Sequence, residues 1–204
     1  LVRHGETDWN TQLRVMGQLD IPLNERGRAQ ARRTAELLAH EKFSAIYSSD
    51  LVRAVETAQI LAAPHRLDVI TVKALREARY GLWEGLTRDE VLQKFPQEYQ
   101  MRRTDPANFR PSGGESRKEL YERASQIFTE LVARHPHQKI LLVSHGGTIR
   151  AILRYVLGLG PGNGHFAVDN CGITIIDQED DDSYEVFTVN SVFHLQELRT
   201  EDFF

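Results

Sequence analysis

Short apolar blocks alternate with amphipathic stretches along nearly the whole of this 204-residue chain. Leu1-Val2, Ala45-Ile46-Tyr47-Ser48 and Ile140-Leu141-Leu142-Val143-Ser144 are continuous apolar runs, the pattern of strands buried on both faces. Asp68 to Val72, rich in β-branched residues, predicts another strand. Gly172–Asp177 and Tyr184–Asn190 predict two late strands flanking the acidic turn Glu179-Asp180-Asp181-Asp182, close enough in sequence for an antiparallel hairpin. Helical spacing fills the gaps between strands. Arg28 to His40 carries Ala31, Ala35, Leu37 and Leu38 behind a capping Asn24. A second helix runs to about Ala62, with Ser49-Asp50 as its cap and Arg53 in its first turn. A long amphipathic helix spans about Glu115 to His135, and another spans Thr148–Leu157. The intervening loops are Thr11 to Leu23, with Gly17 and Pro22, and a Gly/Pro stretch at 158–164. Residues 86–114 form a charged, aromatic-dotted segment of short helices ending in Pro111-Ser112-Gly113-Gly114. With no internal repeat or linker, the alternation predicts a single α/β domain: a mostly parallel sheet, helices on both faces, and an antiparallel edge.

Composition narrows the partners. The chain is 41% apolar and 26% charged with a net charge of -4, so neither nucleic acid nor an anionic membrane is expected. An anionic substrate would need locally concentrated positive charge. The one cysteine, Cys171, excludes an internal disulfide and fits a reducing, cytoplasmic setting. No leader peptide and no apolar run of membrane-spanning length are read. The chain opens in mid-strand without a methionine, which weakens the reading about leaders. Oligomeric state is left open.

Three predicted strands end in similar chemistry. Leu1-Val2 runs into Arg3-His4-Gly5, Ile46-Tyr47 into Ser48-Ser49-Asp50 and Arg53, and Leu142-Val143 into Ser144-His145-Gly146-Gly147. A parallel sheet gathers such ends along one edge, where α/β proteins place ligands. Two arginines and two histidines would converge there, beside helix N-termini that add partial positive charge. That is a pocket for a dianion, phosphate first among them. A neutral imidazole is a nucleophile near pH 7, so the pocket can attack as well as hold.

These residues, in this order, resemble the histidine phosphatase superfamily with its phosphoglycerate-mutase-like fold. The matching stretches are LVRHGETDWN at the start, Gly17…Asp20-Ile21-Pro22-Leu23…Gly27, SSDLVRAVETA at 48–58, LREARYGLWEG at 75–85, PSGGES at 111–116 and VSHGGTIRAIL at 143–153. The resemblance implies a three-layer αβα sandwich and assigns roles. His4 is the nucleophile that becomes phosphohistidine. Arg3, Arg53 and His145 surround the phosphoryl oxygens, Asn10 adds a hydrogen bond, and Glu77 gives a proton to the leaving alkoxide. Glu77 must then hold a proton near neutrality, which needs burial or a nearby negative charge; Arg76 and Arg79 oppose this unless they point away. No metal or other cofactor is implied.

The shared motifs do not separate hydrolases from mutases. The short 86–114 segment, read as a partial lid, the Gly-Gly-Glu-Ser pattern and Trp83-Glu84-Gly85 resemble the bacterial broad-specificity and alpha-ribazole phosphatases. The favoured activity is therefore a metal-independent phosphomonoesterase acting on small phosphate esters. The alternatives are a 2,3-bisphosphoglycerate-dependent mutase and a binding module without turnover. Arg102-Arg103 is read as solvated loop charge, although it resembles the arginine pair with which mutases hold a carboxylate. Met16 replaces the glutamine common before Gly17 in these phosphatases and makes that wall more apolar. His135 and His137 are read as loop residues. His40, His65, His165 and His194 are given core or surface roles, Trp83 either packing or the pocket mouth, and Glu6 and Thr7 the orientation of the turn after His4.

Overall fold

The computed structural model describes residues 1–162, 166–181 and 183–199. His165 and Asp182 lie outside them. In chain order the elements are β1 (Val2–Arg3), α1 (Asp8–Thr11), α2 (Glu25–Leu38), β2 (Ala45–Ser48), α3 (Val52–Ala62) and β3 (Val69–Thr71). Then come α4 (Arg88–Lys94), α5 (Pro96–Thr104), α6 (Arg117–Ala133), β4 (Ile140–Ser144), α7 (Gly146–Val156), β5 (Ile173–Gln178) and β6 (Tyr184–Ser191). The strands form one sheet in the order β3-β2-β4-β1-β5-β6. The first four are mutually parallel, and β5 and β6 add the expected antiparallel edge.

Alternation along the central strand builds the layers. Leu142 packs with Leu120, Ile127 and Phe128 of α6 and with Ile152 of α7. Its neighbours Leu141 and Val143 face the other way, onto Ala35 of α2 and Ala54, Ala58 and Leu61 of α3. Period-2 side chains on a continuously apolar strand thus serve two cores at once. The result is the three-layer sandwich, with β4 and β1 at its centre. No helix among the described residues is long and apolar enough to cross a membrane.

Caps set where the helices begin. Asn24 Oδ1 accepts from Gly27 N at 2.8 Å, as the sequence predicts. Ser116 and Glu119 close a capping box at the head of α6. The Ser49-Asp50 cap expected for α3 does not form. Leu51 holds the cap position without a side-chain bond, and Val52 N instead donates to Asp20 Oδ1 at 2.6 Å. Asp50 is drawn off by Arg76, whose Nε and Nη2 donate to its two oxygens at 2.6 and 2.8 Å. Helix α7 starts two residues before the expected Thr148, making His145 its N-cap residue. The acidic turn is exposed at Glu179, Asp180 and Asp181.

Candidate active site

Arg3, at the C-terminal end of β1, His4 just beyond it, Arg53 in the first turn of α3 and His145 just after β4 all meet at one sheet edge. Asn10 and Glu77 join Arg3, His4 and Arg53 in lining a cavity of about 770 Å³, while His145 lies fully buried against the His4 ring. His4, Arg53 and His145 are at most 2% exposed, and the two imidazole rings lie 5.1 Å apart between centroids.

Backbone contacts hold His4 in one orientation. Its amide donates to Ser144 O at 2.9 Å, and Asn170 Nδ2 donates to its carbonyl at 2.9 Å. Nδ1 lies 2.7 Å from Gly5 O, so it carries the proton it donates there and leaves the Nε2 lone pair open. Burial, then the charges of Arg53 and Arg3, lower the His4 pKa well below its ordinary value, against the opposing pull of the Gly5 carbonyl. The ring is therefore neutral, with Nε2 as its open nitrogen.

Gly5 is present for space. Its φ is not in the left-handed region. A Cβ there would lie 2.5 Å from Gly27 O, and one on Gly27 would lie 2.1 Å from Glu6 O. Helix α2 and the loop after His4 thus touch backbone to backbone, which only paired glycines allow. Thr57 Oγ1 ties the same loop to α3 by accepting from Gly5 N at 3.0 Å. Thr7 caps α1 and forms a capping box with Asn10, while Glu6 accepts from Asn24 Nδ2 at 2.9 Å. Asn10 Oδ1 takes part in that box, accepting from Thr7 N at 3.0 Å, so a ligand contact from Asn10 falls to its Nδ2 amide.

Two loop carbonyls aim Arg53: Nη1 donates to Leu19 O and Nη2 to Gly17 O, each at 2.8 Å. Arg3 Nη1 donates to Val168 O at 2.6 Å. These carbonyl acceptors are neutral and help fix the direction of both guanidinium groups. Burial, Arg53, His4 and Arg3, in that order, push the His145 pKa well below its ordinary value. Burial likewise brings Arg53 down to about 10. Arg53 Nε and both ring nitrogens of His145 are buried and make no hydrogen bond among the described residues. Leaving such groups unmatched costs about 1–3 kcal/mol each.

Glu77 follows a short 3₁₀ turn, Lys73–Leu75. Its Oε1 accepts from Ala78 N at 2.8 Å, and its Oε2 from Gly147 N, at the head of α7, at 2.9 Å. A Cβ on Gly147 would come 2.3 Å from Oε1, so this glycine makes room for the carboxylate. The two arginines beside Glu77 point elsewhere, Arg76 onto Asp50 and Arg79 toward Gly114 O at 3.5 Å. Arg123 on α6 braces the segment from below, donating to Ala74 O at 2.7 Å, Arg76 O at 2.9 Å and Glu115 at 2.6 Å. Gln18 Nε2 donates to Glu77 O at 3.0 Å.

Other residues fall into place around this centre. Trp83 is 1% exposed, stacks near Phe109 and donates from Nε1 to Glu98 at 2.8 Å. It packs under the 86–114 segment while also lining the cavity. Arg102 and Arg103 are helical rather than loop residues, at the end of α5, and both line the cavity, with Arg102 5.7 Å over the Trp83 ring. Met16 lines it too and accepts from Thr7 Oγ1 at 3.2 Å. His135 bonds Tyr47 Oη at 2.8 Å, and His194 bonds Thr34 Oγ1 at 2.9 Å, both as structural partners. Cys171 is buried, its thiol pushed up to about 12 by that burial. Arg123, Gln18, Thr57 and Asn170 were not singled out from the sequence. Each acts through the backbone of a residue distant in the chain, which leaves no local pattern. Asp20 did carry a signal, lying inside the Asp-Ile-Pro-Leu stretch.

Comparisons with known proteins agree with this arrangement. A profile of the Histidine phosphatase superfamily (branch 1) matches residues 1–191. Phosphoglycerate mutase-like protein 4 of Arabidopsis thaliana is 38% identical over 97% of this chain and 86% of its own length. Phosphoserine phosphatase 1 of Hydrogenobacter thermophilus is 34% identical over 98% and 95%. Among solved structures, a mycobacterial glucosyl-3-phosphoglycerate phosphatase complexed with VO3 superposes with a TM-score of 0.84, at 34% identity over 94% of this chain and 97% of that one. Bacillus stearothermophilus YhfR gives 0.87 at 30% identity over 95% and 96%. With its site residues gathered as the family motifs require, this chain belongs to the histidine phosphatase superfamily, branch 1.

Proposed function

We propose that the protein is a phosphomonoesterase that hydrolyses small phosphate esters through a phosphohistidine on His4, without a metal. The ester phosphate sits between Arg3, Arg53 and His145, whose donors meet the charge spread over the equatorial oxygens. Nε2 of His4 attacks phosphorus as the P–O bond to the alcohol breaks. Glu77 gives its proton to the departing oxygen, a contribution of about 10²–10⁴-fold. Water then attacks the phosphohistidine, Glu77 takes up the water proton, and the P–N bond breaks to release phosphate and neutral His4. Residues 86–114 act as a partial lid, since Arg88, Tyr99, Arg102 and Phe109 from that segment line the cavity.

One observation carries the reading. His4 donates Nδ1–H to its neighbour's carbonyl while burial, and then the charges of Arg53 and Arg3, hold it neutral, leaving Nε2 as a nucleophile next to unmatched polar groups of Arg53 and His145. Relatives named as phosphoserine phosphatase and glucosyl-3-phosphoglycerate phosphatase support hydrolysis over isomerisation. The single buried Cys171 suits a cytoplasmic setting.

The test is phosphate release from p-nitrophenyl phosphate, 3-phosphoglycerate and alpha-ribazole phosphate in EDTA, for the protein and for His4→Ala. Release that survives EDTA and falls by at least about 10³-fold in the variant is expected. Release unaffected by the substitution, or abolished by EDTA, contradicts it.

A further inference from the structure

Glu77 stands in an irregular stretch between two short 3₁₀ turns, Lys73–Leu75 and Gly81–Trp83. With no helix or strand ladder to serve them, the carbonyls before and at Glu77 are met by side chains. Ser144 Oγ donates to Leu75 O at 2.7 Å, Thr148 Oγ1 to Arg76 O at 2.8 Å and Gln18 Nε2 to Glu77 O at 3.0 Å. Arg123 reaches further than any of these. Its Nη1 donates to Ala74 O at 2.7 Å and Arg76 O at 2.9 Å, and its Nη2 to Glu77 O at 3.4 Å. A planar guanidinium with several fixed donors can span that arc, whereas a compact ammonium cannot.

The same guanidinium is tied to the Pro111-Ser112-Gly113-Gly114-Glu115-Ser116 stretch. Arg123 Nη2 donates to Glu115 Oε1 at 2.6 Å, and the two side chains are only 23% and 14% exposed. Glu115 in turn holds the chain two residues beyond Glu77: its Oε1 accepts from Arg79 N at 3.2 Å, and its N donates to Arg79 O at 2.8 Å. Glycines permit this close approach. A Cβ on Gly114 would lie 2.6 Å from Arg79 O, and one on Gly81 would lie 2.1 Å from Ser112 O. Glu77 is thus held from both sides through its backbone by one buried ion pair.

We propose that Arg123, held by Glu115, is a positioning residue for the proton donor, keeping the Glu77 carboxyl where it can reach the leaving oxygen. A loop places a side chain less precisely than a helix or strand does, and a displacement of about 1 Å can cost on the order of 10²-fold in rate. Arg123 acts through the backbone and leaves the phosphoryl group to Arg3, Arg53 and His145. This role rests on the phosphomonoesterase reading above.

The experiment compares kcat/KM for phenyl phosphate and p-nitrophenyl phosphate, esters of similar shape whose leaving groups differ. Phenolate needs a proton far more than p-nitrophenolate does, and kcat/KM reports the steps up to phosphohistidine, where Glu77 acts as the acid. Arg123→Gln should lower kcat/KM about 10- to 100-fold for phenyl phosphate and no more than about threefold for p-nitrophenyl phosphate. Added to Glu77→Gln, it should cost phenyl phosphate at most about threefold more, because the acid it positions is already gone. Glu115→Gln keeps an acceptor for Arg79 N but loses the ion pair, so it should shift the two esters the same way by a smaller factor. Equal losses on both esters overturn the proposal, as do no loss on either and a full further loss in the double variant. If Arg123→Gln does not fold, Glu115→Gln carries the comparison; if neither folds, the pair serves stability and the positioning role is overturned. Should the unaltered protein not hydrolyse both esters, the crystal structure of Arg123→Gln decides instead. A Glu77 carboxyl withdrawn from Gly147 N supports the role, and an unmoved one overturns it. Hydrolysis of neither ester is the failure of the hydrolase reading alone.

Discussion

At the scale of single residues, two buried histidines are kept neutral beside Arg3 and Arg53. Burial comes first among the causes for both His4 and His145, and the arginine charges add to it. The consequence for stability has a definite sign. The unfolded chain binds protons on these imidazoles as the pH falls through about 6.5, whereas the folded protein resists doing so until well below that. Stability is therefore full above about pH 6.5 and declines beneath it, by up to about 1.4 kcal/mol per pH unit for each histidine. Urea unfolding between pH 7.5 and 5 should show that decline, and His4→Gln should make it shallower. A slope unchanged by the substitution contradicts a neutral, buried His4. The same scale shows why some residues were legible. Arg3, His4, Arg53, Glu77 and His145 sit in local motifs; the first four line the cavity and His145 packs against the His4 ring. Arg102 was misread as solvated charge because only the packing of α5 turns it over the Trp83 ring, whereas Arg103 is exposed as read.

At the scale of elements, strands and helices were readable from apolar spacing, and their ends less so. The Asn24 cap is local and was found. The partner of Val52 N is Asp20, 32 residues away, and Asp50 is withdrawn by Arg76, so the head of α3 depends on contacts that adjacent sequence does not encode. The approach of α2 is what requires the glycine after His4. That approach makes a prediction. Gly27→Ala places a methyl group against the Glu6 carbonyl, and neither backbone can yield without moving His4. Stability should fall by about 2 kcal/mol or more, in the range for overpacked sites, and kcat should fall with it. Thermal unfolding and turnover of that variant check this. A variant as stable and as active as the unaltered protein contradicts the close packing of helix and catalytic loop.

At the scale of the whole molecule, the order β3-β2-β4-β1-β5-β6 places β2, β4 and β1 side by side and parallel, so their C-terminal ends bring Arg53, His145, Arg3 and His4 together. The alternating pattern of the sequence implied parallel strands covered on both faces. It did not give their order, which depends on which helices cross which face. Of the cavity arginines on the later helices only Arg102 and Arg103 were singled out in the sequence, because Arg117, Arg150 and Arg154 join Arg102 only once α5, α6 and α7 are packed. Net charge gave no sign of them, since a chain that is acidic overall gathers these arginines in one cleft.

The central claim is that His4 carries the phosphoryl group. The most direct measurement mixes the protein rapidly with an excess of p-nitrophenyl phosphate, quenches in alkali where phosphohistidine survives, and reads phosphorylated peptides by mass spectrometry. The account predicts one phosphoryl group on the N-terminal peptide, localised to His4 and absent from His4→Ala. Turnover with no phosphorylated peptide at any quench time, or with the label on another residue, would contradict it.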